Sequence, residues 1–135
     1  MKKWQPCLND TALLLLRLGF GLSLALGHGF EKLAHLWGSP GPVEWADPLG
    51  LGPGVSLFLA SSAEGLCSLL VALGLVTRLA ALGPLSVMMT ALLVVHAGDP
   101  WAKKEMAFLY LLGYGVIALA GAGRLSLDYF LCRKK

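Results

Sequence analysis

Charge is scarce in this chain. Only 14% of its 135 residues are Asp, Glu, Lys or Arg, where soluble domains carry about 25%. Too few charges remain to cover a water-facing surface, which excludes an ordinary soluble enzyme. The net charge is +3, from 11 basic and 8 acidic residues, too small an excess to argue for nucleic acid. Disorder is excluded as well, because 56% of the residues are hydrophobic. Cysteine is equally sparse. Cys7, Cys67 and Cys132 form no C-x-x-C pair and are odd in number, so no disulfide framework is expected. Cys7 and Cys132 read as free thiols, and Cys67 as a small packing residue. A nucleotide fingerprint is also missing. The pairs Gly19/Gly21, Gly113/Gly115 and Gly121/Gly123 lie in apolar sequence rather than after strands, and read as close-packing positions.

Apolar sequence is what the chain has in quantity, with a mean hydropathy of +0.69. Four stretches stand out, near 11–36, 54–76, 79–97 and 105–122. A helix needs about 20 mostly apolar residues to cross a bilayer. Residues 79–98 and 106–123 contain no Asp, Glu, Lys or Arg, while the first two stretches each carry a charge deep inside, Arg17 and Glu64. A soluble four-helix bundle would keep a polar face on each helix. In 79–95 the only polar side chains are Ser86 and Thr90, so that face does not exist. The expected fold is all-α, an integral membrane bundle of four transmembrane helices forming a single domain over 1–135. Lys2, Lys3 and the run Ala25-Leu26-Gly27 imitate a cleaved signal peptide. Arg17 splits the apolar run, however, and the helical pattern continues to Leu36, so no cleavage is expected.

The breaks support this layout. Trp4, Trp37, Trp45 and Trp101 all lie outside the apolar cores, as suits rings that favour the membrane–water interface. Residues 38–54 hold four Pro and five Gly and read as a structured loop. The break at Thr77-Arg78 is short and predicts antiparallel neighbours. Pro84 starts the third helix or kinks its first turns, and Asn9, Asp10 and Thr11 are candidate N-caps of the first. With both termini in the cytoplasm, that side holds Lys2, Lys3, Arg78, Arg124, Arg133, Lys134 and Lys135, against Lys32, Lys103 and Lys104 outside. Seven against three favours cytoplasmic termini.

Small residues recur every four positions at Gly19, Ser23 and Gly27, and again at Ala60, Ser68 and Ala72 with Glu64 between them. These stripes predict tight helix contact and put Glu64 on a packed face. An ionisable group at such depth costs roughly 3 kcal/mol, which makes it a functional candidate. Tyr114 lies at a similar depth, with Tyr110 on the same face, and a Glu64–Tyr114 hydrogen bond is the expected pairing. Burial there favours the uncharged acid. Glu64 reads either as a proton-handling or ligand-anchoring carboxyl, or as an acid that joins two helices. A second cluster lies toward the outer leaflet. His28, Glu31 and His35 share one side of the first helix, and His96 and Asp99 are three apart near the end of the third. Imidazoles and carboxylates at such spacing can bind a metal or make interfacial hydrogen bonds. Membrane di-metal enzymes need more ligands than these, so no metal is assigned. Arg17, two turns into the first helix, is expected to snorkel to the headgroups.

These residues carry a resemblance. The segments LRLGFGLSLALGHGFEKL (16–33), AEGLCSLLVALGLVTRLAAL (63–82) and HAGDPWAKKEMAFLYLLGYGVIALAGAGRLSLD (96–128) resemble the DoxX family of small bacterial inner-membrane proteins. The likeness rests on Arg17, the run His28 to Leu33, Glu64 with Gly74 and Thr77-Arg78, His96, and the ending Gly121 to Asp128. It implies four transmembrane helices and a membrane subunit of a redox or oxidative-stress system, with a quinone as the implied cofactor. Two alternatives stay open: a non-catalytic interaction or assembly protein, and a small-molecule transporter. The partners implied are the lipid bilayer and a protein partner or second copy, with no nucleic acid.

Overall fold

Pro6 lacks the N–H that an α-helix leaves unpaired in its first turn anyway, and the first helix begins beside it. The computed structural model describes residues 5–38 and 40–132. Trp4 and the terminal charges Lys2, Lys3, Arg133, Lys134 and Lys135 lie outside the described residues. Helix α1 is one continuous run made of Gln5–Leu24, a π-helical stretch Ala25–Gly29, and Phe30–Gly38. Asn9, Asp10 and Thr11 are therefore inside it and cap nothing. Thr11 donates instead to the Cys7 carbonyl, and Asp10 accepts from the Arg124 backbone N–H.

Helix α2 starts at Pro53 after Gly52 and runs through Pro53–Ser61, a π-helical stretch Ser62–Cys67, and Ser68–Leu73. The Asp47 carboxylate closes its N-terminus by accepting from the Leu51 and Gly52 N–H groups and from Ser56 Oγ. At the other end Gly74 adopts φ 72, the left-handed cap that glycine tolerates best. Helix α3 comprises Thr77–Thr90 and a π-helical stretch Ala91–Val95. Pro84 sits buried in its interior rather than at its start. Helix α4, Trp101–Ala120, begins a turn earlier than the apolar pattern because Pro100 sets its N-terminus. A short helix α5, Leu127–Cys132, follows; the hydropathy pattern did not register it.

Pro6–Gly38, Pro53–Leu73 and Thr77–Val95 are long and apolar enough to cross a membrane. Helix α4 is 20 residues long, and Lys103, Lys104 and Glu105 charge its first turns. The four long helices pack in sequence, with α1 against α2, α2 against α3, α3 against α4, and α4 back against α1. Leu24, Val71, Ala81, Met88, Tyr114 and Ile117 fill the centre. The outward face is apolar too: Leu93 is 67% exposed and Leu119 83%. No water-soluble surface accepts that, whereas lipid does.

The small-residue stripe on α1 is displaced from its expected position. Gly19 and Gly27 have nothing near them, whereas a Cβ on Gly21 would lie 2.7 Å from the Ser68 carbonyl oxygen. One on Gly29 would overlap the Gly65 backbone. The contact face is thus rotated by two residues along the helix. On α2 the stripe stands as expected, with Glu64, Ser68 and Ala72 buried. Gly113 packs on the Phe20 ring, Gly115 faces open space, and Gly121 and Gly123 lie past the end of α4 with positive φ.

Candidate functional site

Among the described residues α1, α2 and α3 each contain a π-helical stretch; those of α1 and α2 pack against each other, and that of α3 lies against α4. A π-helical turn widens the backbone and resets which side chains face inward, and such turns concentrate at functional sites. The α1 stretch ends at Gly29, whose backbone abuts Gly65 in the α2 stretch. That approach carries Lys32, one turn on, against Glu64. The Lys32 ammonium lies 2.5 Å from each Glu64 carboxylate oxygen. Glu64 is eleven residues after Pro53 and ten before Gly74, about 15 Å from either end at roughly 1.5 Å per residue. It is 2% exposed and Lys32 20%.

The expected Glu64–Tyr114 bond is therefore not made. Tyr114 lies one turn deeper, where it shares its proton between Ser68 Oγ at 2.7 Å and the Phe20 carbonyl at 3.2 Å. With Lys32 as its partner, Glu64 is half of an ion pair rather than a lone uncharged acid. Depth along the helices suggested Tyr114, but the tight Gly29–Gly65 crossing brings α1 closer to Glu64 than α4.

The pair separates two cavities. The larger, about 610 Å³, lies between α2, α3 and the 45–51 loop. Trp45, Leu49, Leu59 and Val87 give it apolar walls, Cys67 lines it, and Lys32, Glu64 and His96 close one end. The smaller, about 170 Å³, is lined by His28, Tyr110, Lys103 and Met88 together with the same Lys32, Glu64 and His96. Tyr110 thus joins Glu64 where Tyr114 does not. Its ring meets His28 edge-on at 6.3 Å and Phe20 at 5.8 Å.

His96 caps the end of α3 and places Nδ1 2.7 Å from Asp99 Oδ2. That hydrogen bond, first among the causes and joined by nearby Lys103, holds the Asp99 carboxyl below its ordinary range against a smaller desolvation effect. Glu31 is exposed and lines neither cavity, and His35 packs its ring on Trp45 at 5.8 Å. The proposed outer cluster is therefore split: His28 and His96 reach the cavity, Asp99 stands behind His96, and Glu31 turns away. Lys32, the next residue, takes the inward position. Among the described residues no group of three or more His, Cys, Asp or Glu is placed to hold a metal.

Two participants were missed by the sequence reading. Lys32 enters the sequence reading through the charge count and the run His28 to Leu33 but not as a site residue, although it lies four residues after His28 and so on the same face. Trp45 sits in a Pro/Gly-rich loop without periodicity, yet Lys32 Nζ lies 5.8 Å from its ring centroid.

At the opposite end of the bundle Arg17 does not snorkel. It is fully buried and donates to the Leu125 carbonyl at 2.5 Å, while its Nε and Nη1 find no partner among the described residues. Its guanidinium lies so close to Gly74 that any Cβ there would collide with it. The segment after α4 folds back over it and supplies Asp128 as counter-charge. Asp128 in turn accepts from the Val76 N–H (2.7 Å), the Thr77 N–H (2.9 Å) and Thr77 Oγ1 (2.9 Å). It thereby caps α3 and holds Val76 at φ 48, a conformation that a β-branched residue rarely adopts.

No curated protein and no solved structure matches the chain. The DoxX family model matches residues 12–97. That span contains Arg17, Lys32, Glu64, His96 and the 38–54 loop, and it excludes α4 and the segment that covers Arg17. Covering well over half of the sequence and coinciding with the three membrane-length helices, the match establishes that this chain is a membrane protein of the DoxX family.

Proposed function

We propose that this protein is a membrane subunit of a redox or oxidative-stress system, and that its large chamber binds a quinone-type molecule. The observation that carries the reading is the chamber itself: apolar walls of membrane-embedded helices ending on a buried Lys32–Glu64 pair and on His96. Ligand sites are concave, mostly apolar and equipped with a few fixed polar groups. A molecule with a flat polar head and an apolar tail matches that distribution. Its reduction takes up protons, and Glu64 and His96 are groups that exchange them. The smaller cavity, with His28, Tyr110 and Lys103, offers a polar route from that end of the chamber toward the outer surface. The proposed setting is the bacterial inner membrane with both termini in the cytoplasm. The basic residues Arg78 and Arg124 at the termini's end of the bundle support that orientation.

The test is purification into lipid nanodiscs, solvent extraction for retained quinone, and titration with decylubiquinone. Saturable binding is expected, and it should fall at least tenfold in the Lys32→Met, Glu64→Gln double variant, which removes the pair without stranding a charge. A preparation that retains no quinone and binds none above empty nanodiscs, but carries a stoichiometric protein partner, would overturn the reading in favour of an assembly role.

A further inference from the structure

The hydrogen-bonding polarity of the chamber is one-sided. Ser56, Ser86 and Thr90 line it, and each has already given away its hydroxyl proton. Ser56 donates to Asp47 at 2.6 Å, Ser86 to the Gly83 carbonyl at 2.7 Å, and Thr90 to the Ser86 carbonyl at 2.9 Å. These directions are forced, since a carboxylate or carbonyl oxygen cannot donate. What these hydroxyls offer a ligand is lone pairs. His96 is committed in the same sense. Its Nδ1 lies 2.7 Å from Asp99 Oδ2, and a carboxylate only accepts, which leaves Nε2 as the ring atom for a ligand, a lone pair in the uncharged ring. Glu64 adds a carboxylate. The donors on the walls are fewer: the Trp45 indole, Ser62, and a Lys32 ammonium that already faces both Glu64 oxygens.

We infer that the chamber selects a ligand whose polar head carries O–H donors, so that it binds the hydroquinone form of a quinone-type couple in preference to the quinone. A quinone head has only carbonyl acceptors. Placed against this wall it would leave buried lone pairs facing lone pairs, which is costly in a low-dielectric site. A hydroquinone presents two hydroxyl protons on the same flat head and satisfies Glu64 and His96. The preference has a thermodynamic consequence. Tighter binding of the reduced form raises the potential of the bound couple, by about 30 mV for each tenfold at two electrons. The inference rests on the quinone-type reading above, and it adds which redox state the site is built for.

The experiment is anaerobic equilibrium binding of decylubiquinol and decylubiquinone to the protein in nanodiscs, with empty nanodiscs subtracted. The quinol is expected to bind at least tenfold more tightly. His96→Leu removes one acceptor at an exposed helix end, and should shrink that ratio at least threefold. Glu64→Gln turns an acceptor into a mixed amide and should shrink it further; where that variant fails to fold, Ser86→Ala with Thr90→Val takes its place. Equal affinities, tighter quinone binding, or a ratio unmoved in all these variants would overturn the inference while leaving the chamber as a quinone-type site. Saturable binding of neither form would overturn the underlying reading itself.

Discussion

Replacing Asp128 should unlatch the end of the bundle that holds Arg17. Its carboxylate accepts three hydrogen bonds from Val76 and Thr77 across more than fifty residues of sequence. Losing a side-chain cap costs about 1 kcal/mol, up to roughly 2. Arg17 is fully buried, with two nitrogens that find no partner among the described residues, and removing its counter-charge leaves the cation with the Leu125 carbonyl as its hydrogen-bond acceptor there. Stranding a buried charge costs roughly 3–5 kcal/mol when the pair is dry, but Asp128 is itself partly exposed, so solvent screens part of that. The two contributions overlap, and a total of about 2–4 kcal/mol is expected for Asp128→Ala. That corresponds to roughly a 30- to 1,000-fold loss in the folding equilibrium. Asp128→Asn keeps an acceptor oxygen and should lose less. The assay is reversible unfolding in mixed micelles, run as a double-mutant cycle with Arg17→Met. Coupling of at least about 1 kcal/mol is expected, because Asp128→Ala should cost far less once the buried cation is gone. An Asp128→Ala cost below about 0.5 kcal/mol, or strictly additive single and double variants, would refute the latch.

Four further outcomes follow from the same contacts. Desolvation pushes the Asp128 carboxyl up, but the hydrogen bonds from Thr77 and Val76, with Arg17, outweigh it, so its pKa lies below the ordinary 3.8. Asp128 therefore stabilises the fold above the ordinary carboxylate range, and that contribution fades as pH falls through the lowered value; an acid titration of stability should show it in the native chain and not in Asp128→Ala. Glu64→Gln alone strands Lys32 and should cost about 3 kcal/mol or more, with Lys32→Met restoring most of it, as unfolding curves of the three variants would show. Gly29→Leu should destroy the folded protein, because its first carbon already overlaps the Gly65 backbone, whereas Gly27→Leu should be tolerated; detergent-solution gel filtration separates the two outcomes. Cys7 and Cys132 are both exposed, so with both termini cytoplasmic each should resist an impermeant maleimide in intact cells and react after lysis. Labelling of Cys132 in intact cells would reverse the topology.

The sequence by itself determined the medium and the architecture. Runs with neither charge nor polar face can be buried only in lipid, and lipid permits only closed hydrogen bonding, so long helices follow from composition alone. Glu64 was legible for the same reason, since a lone acid in such a run is conspicuous. Its partner was not. The choice between Lys32 and Tyr114 depends on the rotation of α1, which is set by where backbones can touch. The contact uses Gly21 and Gly29, not the Gly19–Ser23–Gly27 stripe, and three π-helical stretches shift the side-chain register beyond what a 3.6-residue period can forecast. Arg17 makes the same point from the other end. Snorkelling is right for an arginine with nothing above it, but the chain returns after α4 and lays Leu125 and Asp128 over the guanidinium. Local sequence carries the free energy of leaving water, which adds residue by residue. Pairing of buried charges depends on distances of a few ångströms between segments far apart in the chain, and only the tertiary packing decides them.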